Sequence, residues 1–322
     1  MEQFTLSICI PTYNRERYLK RLIDSIISQE GFSDKIEIVI NDGPSKDNTT
    51  WLVKAYQKLY RNIRYYQNNQ AIGMTAAIME SVEYSNGKYT RIFSSDDVMD
   101  PYALEHAISL IETKSPTLII NNRFEFLKTN DYSHIYNETL HYDIFNWFKE
   151  FWNYLWNNID KTLNEKTNYF TFVSIACFET KHYHKSLQNI LNILPLSELK
   201  QNYFNWAILI YSSLKPNNKI ALIRNKLVYA QTNNSGRNAN NKIINDLKKL
   251  FSILSEEYHP TKICQRFFEK TINIRKNYIY MTMLLNPIRN SRFLKRFKNN
   301  KVTKSLYLFG CKTINFIFNK IS

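Results

Sequence analysis

LSICIPTYNRERYLKRLIDSIISQ, residues 6–29, passes from an apolar run, interrupted only by Ser7, into a helical pattern within ten residues. Leu6–Ile10 reads as a buried strand, because a parallel strand covered on both faces loses the polar alternation of a half-exposed one. Tyr18, Leu22, Ile23, Ile26 and Ile27 then recur at the spacing of one helical face. Between strand and helix, Pro11-Thr12-Tyr13-Asn14-Arg15 is a polar loop leaving the strand's C-terminal end.

The same unit repeats downstream. Ile36–Ile40 is a second strand ending at Asn41, Asp42 and Gly43, followed by a helix through Leu52, Val53, Tyr56 and Leu59. A strand over Ile63–Tyr66, a helix over Met74–Tyr84 and a strand over Tyr89–Phe93 come next, the last ending at Ser94-Ser95-Asp96-Asp97. Asp100-Pro101 reads as a helix opening, with Asp as N-cap and Pro at the first position. Leu118–Ile120 is a further strand. Strands alternating with helices predict an α/β sandwich whose loops gather at the strand C-termini, where open α/β sheets bind ligands.

The character changes from residue 142. YDIFNWFKEFWNYLW, residues 142–156, carries eight aromatic residues in fifteen positions, too many for a one-sided helix. It reads either as a helix buried between domains or as a lid or acceptor platform. Phe170–Phe178 is expected as a strand, Leu199–Leu214 as a helix, and Ile220–Ile223 with Leu227–Ala230 as two short strands. The polar stretch QTNNSGRNANN, which carries Arg237, precedes a basic helical region. This divides the 322 residues into 1–240, with halves 1–126 and 127–240, and a basic amphipathic region 241–322.

Charge separates along the same line. Residues 1–241 hold 26 basic and 24 acidic side chains, whereas residues 242–322 hold 17 basic and four acidic. Phe267, Phe268, Ile279, Tyr280, Leu284 and Leu285 interleave with those cations. Cationic, amphipathic helices lie in the membrane interface near anionic head groups, so membrane contact is expected of this region. A helical subdomain packing its own apolar face is the structural alternative. No nucleic-acid motif accompanies the charge, so no nucleic-acid partner is expected. No apolar run reaches the roughly 18 residues a spanning helix needs, and the N-terminal apolar stretch is too short for a signal peptide. A cytoplasmic protein, peripheral at the inner face of the membrane, is the expectation.

Other classes fall on composition. The six glycines include no G-x-G, so neither a dinucleotide fingerprint nor a P-loop is present. Cys9, Cys177, Cys264 and Cys311 make no C-x-x-C and imply no zinc site or disulfide framework, which fits a reducing compartment. His182 and His184 lie two apart with no third ligand nearby and read as surface residues.

Three loops after three strands carry the chemistry. An adjacent carboxylate pair at a strand end, Asp96 and Asp97, supplies oxygen ligands for a hard divalent ion. Such an ion bridges a diphosphate and neutralises the charge growing on it as it leaves. A lone carboxylate after a second strand, Asp42, suits a pyrimidine N–H, and the hydroxyls and Arg15 of the first loop suit ribose and phosphate. Individually, Asp42-Gly43 is an ordinary turn and Asp96 or Asp97 a helix-start residue; together they make a site.

These stretches, with IEIVINDGPSKDNT (36–49), Asn69, Gly73 and NGKYTRIFSSDD (86–97), resemble the N-terminal half of family 2 glycosyltransferases with the GT-A fold, most closely the abequosyltransferase-type O-antigen sugar transferases. The resemblance covers residues 4–126 and, loosely, 170–240. It implies a GT-A-like nucleotide-diphosphosugar transferase sandwich. It also implies that Pro11, Thr12, Tyr13 and Arg15 line the nucleotide pocket, Asp42 meets the base, Asp96 faces ribose and diphosphate, and Asp97 takes Mn²⁺ or Mg²⁺. The activity implied is glycosyl transfer, with inversion, from a nucleotide-sugar donor to a hydroxyl of a lipid-linked saccharide acceptor in bacterial surface polysaccharide synthesis.

One departure bears on mechanism. An inverting transfer needs a general base near the acceptor hydroxyl, and the resemblance places it in a Glu-Asp pair opening a helix in the second half. The matching stretch here is Tyr203-Phe204-Asn205-Trp206, without a carboxylate. Glu198 is the nearest acid and the candidate base; a solvated first-turn Glu is the plain alternative. Arg237 is a candidate diphosphate clamp. A non-catalytic nucleotide-sugar-binding protein of the same fold is the alternative function. Nucleotidyl transfer fits poorly, since IPTYNRERY lacks the glycines such a loop needs.

Overall fold

The structure is a computed structural model that describes residues 4–126, 139–147, 150, 151, 154, 172–215, 217–231 and 242–253 except 244, 247 and 251. All of these fall within one unit, Met1–Glu269.

The N-terminal alternation folds as expected: β1 (Phe4–Thr12), α1 (Glu16–Ile27), β2 (Ile36–Asp42), α2 (Thr49–Leu59), β3 (Ile63–Gln67), α3 (Met74–Glu83) and β4 (Gly87–Ile92). There follow β5 (Val98–Met99), α4 (Ala103–Lys114), β6 (Leu118–Phe126), β7 (Tyr142–Phe145), β8 (Ala176–Glu179), α5 (Thr180–Ile190), α6 (Leu196–Gln201), α7 (Asn205–Ser212) and β9 (Ile220–Gln231). The sheet runs β3-β2-β1-β4-β8-β6-β9-β5, and β7 pairs off that path with β9. β3, β2, β1 and β4 are mutually parallel, and β8 joins β4 antiparallel. Leu6, Ile8, Cys9, Ile10, Ile36, Ile38, Val39 and Ile40 are buried, as covering by helices on both faces requires. In α1 the core face is Leu19, Leu22, Ile23 and Ile26, so Leu19 takes the place expected of Tyr18.

Strand order matters for the site. In the run 3-2-1-4 the chain moves outward from β1 in one direction to β3, then returns to the other side for β4. Loops leaving the C-terminal ends of β1 and β4 therefore diverge, and the crevice between them is where an open α/β sheet receives its ligand.

Five expectations are revised. Asp100 does not cap α4: the helix starts at Ala103, and the Asp100 carboxylate instead accepts the Tyr102 N–H (3.0 Å) and the Tyr229 hydroxyl (2.9 Å). Residues 142–145 form an edge strand, because the alternation of Tyr142 to Phe145 pairs with β9. The strand expected from Phe170 begins at Ala176, after a 3₁₀ turn over Val173–Ile175. The helix expected over 199–214 is two, α6 and α7, separated at Asn202-Tyr203-Phe204. The two short strands at 220 and 227 are one, kinked where its pairing with β6 shifts register near Asn122.

Candidate active site

β1, β2 and β3 end in register at the same edge, Thr12 opposite Asp42 and Asp42 opposite Gln67. The first two loops are clasped to each other. Asn14 adopts the left-handed conformation, φ 52°, one that Asn tolerates better than most residues. From there its amide donates to Ser45 Oγ (2.8 Å) and its Oδ1 accepts the Lys46 N–H (2.7 Å). The Glu16 amide donates to Asp47 Oδ2 at 3.0 Å. Burial opposes ionisation of Asp47, but the Thr49 hydroxyl and the Glu16 and Thr49 amides outweigh it, holding this carboxyl below its ordinary value. Tyr13 lies half-exposed over Gly43, where a Cβ would stand 2.7 Å from the Tyr13 Cδ2. A side chain at this position would therefore have to displace the Tyr13 ring. The Thr12 hydroxyl is buried and has no hydrogen-bond partner among the described residues.

Asp42 is fully buried at the end of β2. Its Oδ1 accepts from Ser45 Oγ, and its Oδ2 accepts from the Tyr65 hydroxyl (2.7 Å) and Gln67 Nε2 (3.4 Å). Burial pushes this carboxyl up, and the three hydrogen bonds only partly offset it.

Across the β1–β4 crevice, Arg15 Nη1 and Asp96 Oδ2 form an ion pair at 2.6 Å. Ser94 Oγ donates to the other Asp96 oxygen, and Arg21 Nη2 donates to its backbone carbonyl at 2.6 Å. Asp97, beside it and buried, accepts from Ser174 Oγ at Oδ2 (2.7 Å). Arg15, Asp96 and Asp97 are thus brought together, with Asp42 two strands away on the same edge.

The carboxylate pair fits a divalent ion by the chemistry of its donors. Both side chains offer hard oxygens, and Mg²⁺-type ions bind through one or two carboxylates plus substrate phosphates and water. Among the described residues no three His, Cys, Asp or Glu side chains cluster to cage an ion on their own. Ligation shared with a phosphorylated ligand is the mode these residues suit.

The second half contributes differently. Glu198 sits in the first turn of α6, half-exposed and paired with Lys249 at 3.2 Å. It lines a cavity of about 430 Å³ together with Asp246, Lys242 and Lys249. Asp246 accepts the Tyr203 N–H at 2.9 Å, directly before α7. At the first position of α7, Asn205 Nδ2 donates to the Thr75 carbonyl at 2.7 Å, tying this helix to the start of α3. Thr75 is joined in turn to the Lys200 carbonyl. Arg237 lies outside the described residues, as does the chain from 254 onward. Among the described residues no helix is long and apolar enough to cross a membrane.

Sequence reasoning missed Ser45, Tyr65 and Gln67 around Asp42, Ser174 and Arg91 behind Asp97, and Asp246. Asp246 had a local signal, a lone acid among lysines. Ser174 had none, since it lies in the turn before β8 and comes near through the pairing of β8 with β4 and β6.

A family model described as glycosyl transferase family 2 matches residues 7–187. The chain belongs to glycosyl transferase family 2. Among curated relatives, the abequosyltransferase of Salmonella typhimurium is 30% identical over 154 residues, which are 44% of this chain and 46% of that one. The chain thus matches less than half the length of that relative. Among solved structures, S. aureus TarS in complex with UDP-GlcNAc superposes with a TM-score of 0.62 at 14% identity, covering 91% of this chain and 78% of that one. A mannosyltransferase of Pyrobaculum calidifontis, in complex with GDP-Man and Mn²⁺, gives a TM-score of 0.53 at 12% identity, covering 94% and 81%. The GT-A-like α/β fold expected from the first 126 residues is therefore present.

Proposed function

We propose that this chain transfers a sugar from a pyrimidine nucleotide-diphosphate donor to a hydroxyl of a lipid-linked glycan in bacterial surface polysaccharide synthesis. The observation that carries the reading is the Arg15–Asp96 ion pair across the β1–β4 crevice, with Asp97 adjacent and Asp42 on the same edge. The abequosyltransferase relative and the nucleotide-sugar complex of TarS support the reaction class.

In this reading Pro11, Thr12 and Tyr13 line the nucleotide pocket, and the buried Thr12 hydroxyl finds its acceptor on the donor. Asp42 exchanges one of its present donors for a base N–H. Arg15 turns from Asp96 toward the diphosphate, and Asp96 takes the ribose hydroxyls. Asp97 is the residue that would hold Mn²⁺ or Mg²⁺, with Asp96 beside it. When bound, the cation supplies charge neutralisation of the departing diphosphate. Glu198 is the general base, taking the acceptor proton from within the cavity it shares with Asp246. Arg237 clamps the diphosphate from its loop. The basic region 241–322 holds the enzyme at the inner face of the cytoplasmic membrane, where a lipid-linked acceptor resides.

The test is calorimetric titration of the protein with UDP, CDP, dTDP and GDP, with and without Mn²⁺. Metal-dependent binding of one pyrimidine diphosphate is expected and names the donor class. Failure of all four to bind overturns the reading. Donor binding without turnover on any acceptor leaves a non-catalytic binding protein.

A further inference from the structure

Behind the carboxylate pair lies a buried cation that none of the roles above uses. Arg91, on β4, is 2% exposed. Burying a guanidinium is costly unless its donors are satisfied. Its Nε and Nη2 both donate to the Ser174 carbonyl, at 3.3 and 3.1 Å, and Nη2 also reaches Asn121 Oδ1 at 2.7 Å. The cation stands 5.2 Å from the centre of the Phe93 ring. Burial pushes its pKa down to about 10, so it stays protonated at neutral pH and keeps every donor.

These hydrogen-bond partners are a carbonyl and a carboxamide, groups that fix geometry rather than neutralise charge. The backbone that the guanidinium holds with two of these bonds is that of Ser174. Its hydroxyl donates to Asp97 Oδ2 at 2.7 Å and accepts the Ser94 N–H at 3.0 Å. One short turn thus connects the guanidinium on its backbone side to the carboxylate loop on its side-chain side.

We infer that Arg91 is a positioning residue for Asp97, acting through Ser174 to hold that carboxylate in the orientation a divalent cation requires. The inference rests on the reading of Asp97 as the metal carboxylate. Lysine cannot replace Arg91, because a single ammonium on a flexible stem does not reproduce the planar fork.

The test is Mn²⁺ binding to the full-length chain with UDP as the probe ligand, read from the electron paramagnetic resonance of free Mn²⁺. Arg91→Lys and Ser174→Ala are each expected to weaken Mn²⁺ binding about tenfold or more, the usual effect of removing a group that orients a metal ligand. Ser174→Thr, which keeps the hydroxyl, retains the parent affinity. The double variant Arg91→Lys/Ser174→Ala loses little more than the weaker single one, since both interrupt one path. Whatever residual UDP binding the parent shows without metal stays unchanged throughout. Thermal melting shows that each variant is folded; if Arg91→Lys is not, the Ser174 pair decides. Parent-like Mn²⁺ affinity in Ser174→Ala, alongside its loss in Asp97→Asn, overturns the positioning role. Parent-like affinity in Asp97→Asn, or no Mn²⁺ binding by the parent, overturns the metal reading beneath it.

Discussion

A carboxylate that must recognise a base N–H works best when it is desolvated yet ionised, and those demands oppose each other. In the role proposed for it, Asp42 sits at that compromise. Burial raises its pKa while Ser45, Tyr65 and Gln67 pull it back. A base N–H prefers the ionised form, so nucleotide affinity is lost as pH falls through the raised pKa. That loss begins at a higher pH than an ordinary carboxylate would give. Calorimetric titration with UDP between pH 4 and 8 checks the sign. Asp42→Asn should weaken binding by about 2 kcal/mol, or ~30-fold, and remove the pH dependence. Next to it, Gly43→Ala drives a methyl to 2.7 Å from the Tyr13 ring. Tyr13 is 46% exposed and free to swing away. The expected outcome is a stability change within about 0.5–1 kcal/mol but clearly weaker nucleotide binding; an unchanged affinity would remove Tyr13 from the pocket. Asp42 and the carboxylate pair were legible because strand ends can be read from apolar runs. Their supporting hydroxyls were not, because Tyr65 and Ser174 arrive through strand pairing that local sequence does not encode.

At the scale of elements, the legible part is the part where apolar period and element coincide. β1 through β4 with their helices obey that condition, whereas the strand order 3-2-1-4 is seen only in the structure. The second half departs from it wherever asparagine intervenes. Asn202 Oδ1 accepts the Phe204 N–H at 2.8 Å and Asn205 Oδ1 accepts the Trp206 N–H at 2.7 Å. Such local side-chain bonds compete with the helix ladder, so the apolar stretch from 199 to 214 divides in two. In β9, Asn225 reaches the Thr139 carbonyl and Asn122 the Arg224 carbonyl, which holds the strand through its register shift. The asparagines were visible; their effect depended on partners far along the chain. Asn205 also explains the missing carboxylate at the opening of α7. Its Nδ2 donates to a carbonyl of α3, a contact that a carboxylate would turn into repulsion. Asn205→Asp is therefore expected to cost about 1–3 kcal/mol, measured by urea denaturation, without raising transferase activity. A stable, more active variant would show that this position still faces the acceptor.

At the scale of the whole molecule, the sequence sets a nearly neutral stretch, residues 1–241, against a strongly cationic one, residues 242–322. Residues 1–241 differ by only two charges, 26 basic against 24 acidic, while 242–322 hold 17 basic against four acidic. A uniform surface of the same total charge would bind anionic lipid weakly through any face. Concentrating the charge in one quarter of the chain instead allows association in a single orientation, with each Lys or Arg near the surface contributing about 1 kcal/mol. The prediction is that the full chain sediments with vesicles containing phosphatidylglycerol and not with purely zwitterionic ones. Raising salt toward 1 M, where the screening length falls to about 3 Å, should release most of it. A residue of binding at high salt would measure the contribution of the interleaved Phe267, Phe268, Leu284 and Leu285. A chain ending at Glu269, the boundary of the N-terminal unit, should lose vesicle binding yet keep its affinity for nucleotide, because Arg15, Asp42, Asp96 and Asp97 all lie within that unit. Undiminished vesicle binding by the shortened chain would move the membrane contact onto the N-terminal unit, where Leu191, Ile193 and Leu196 present exposed aliphatic side chains beside α6.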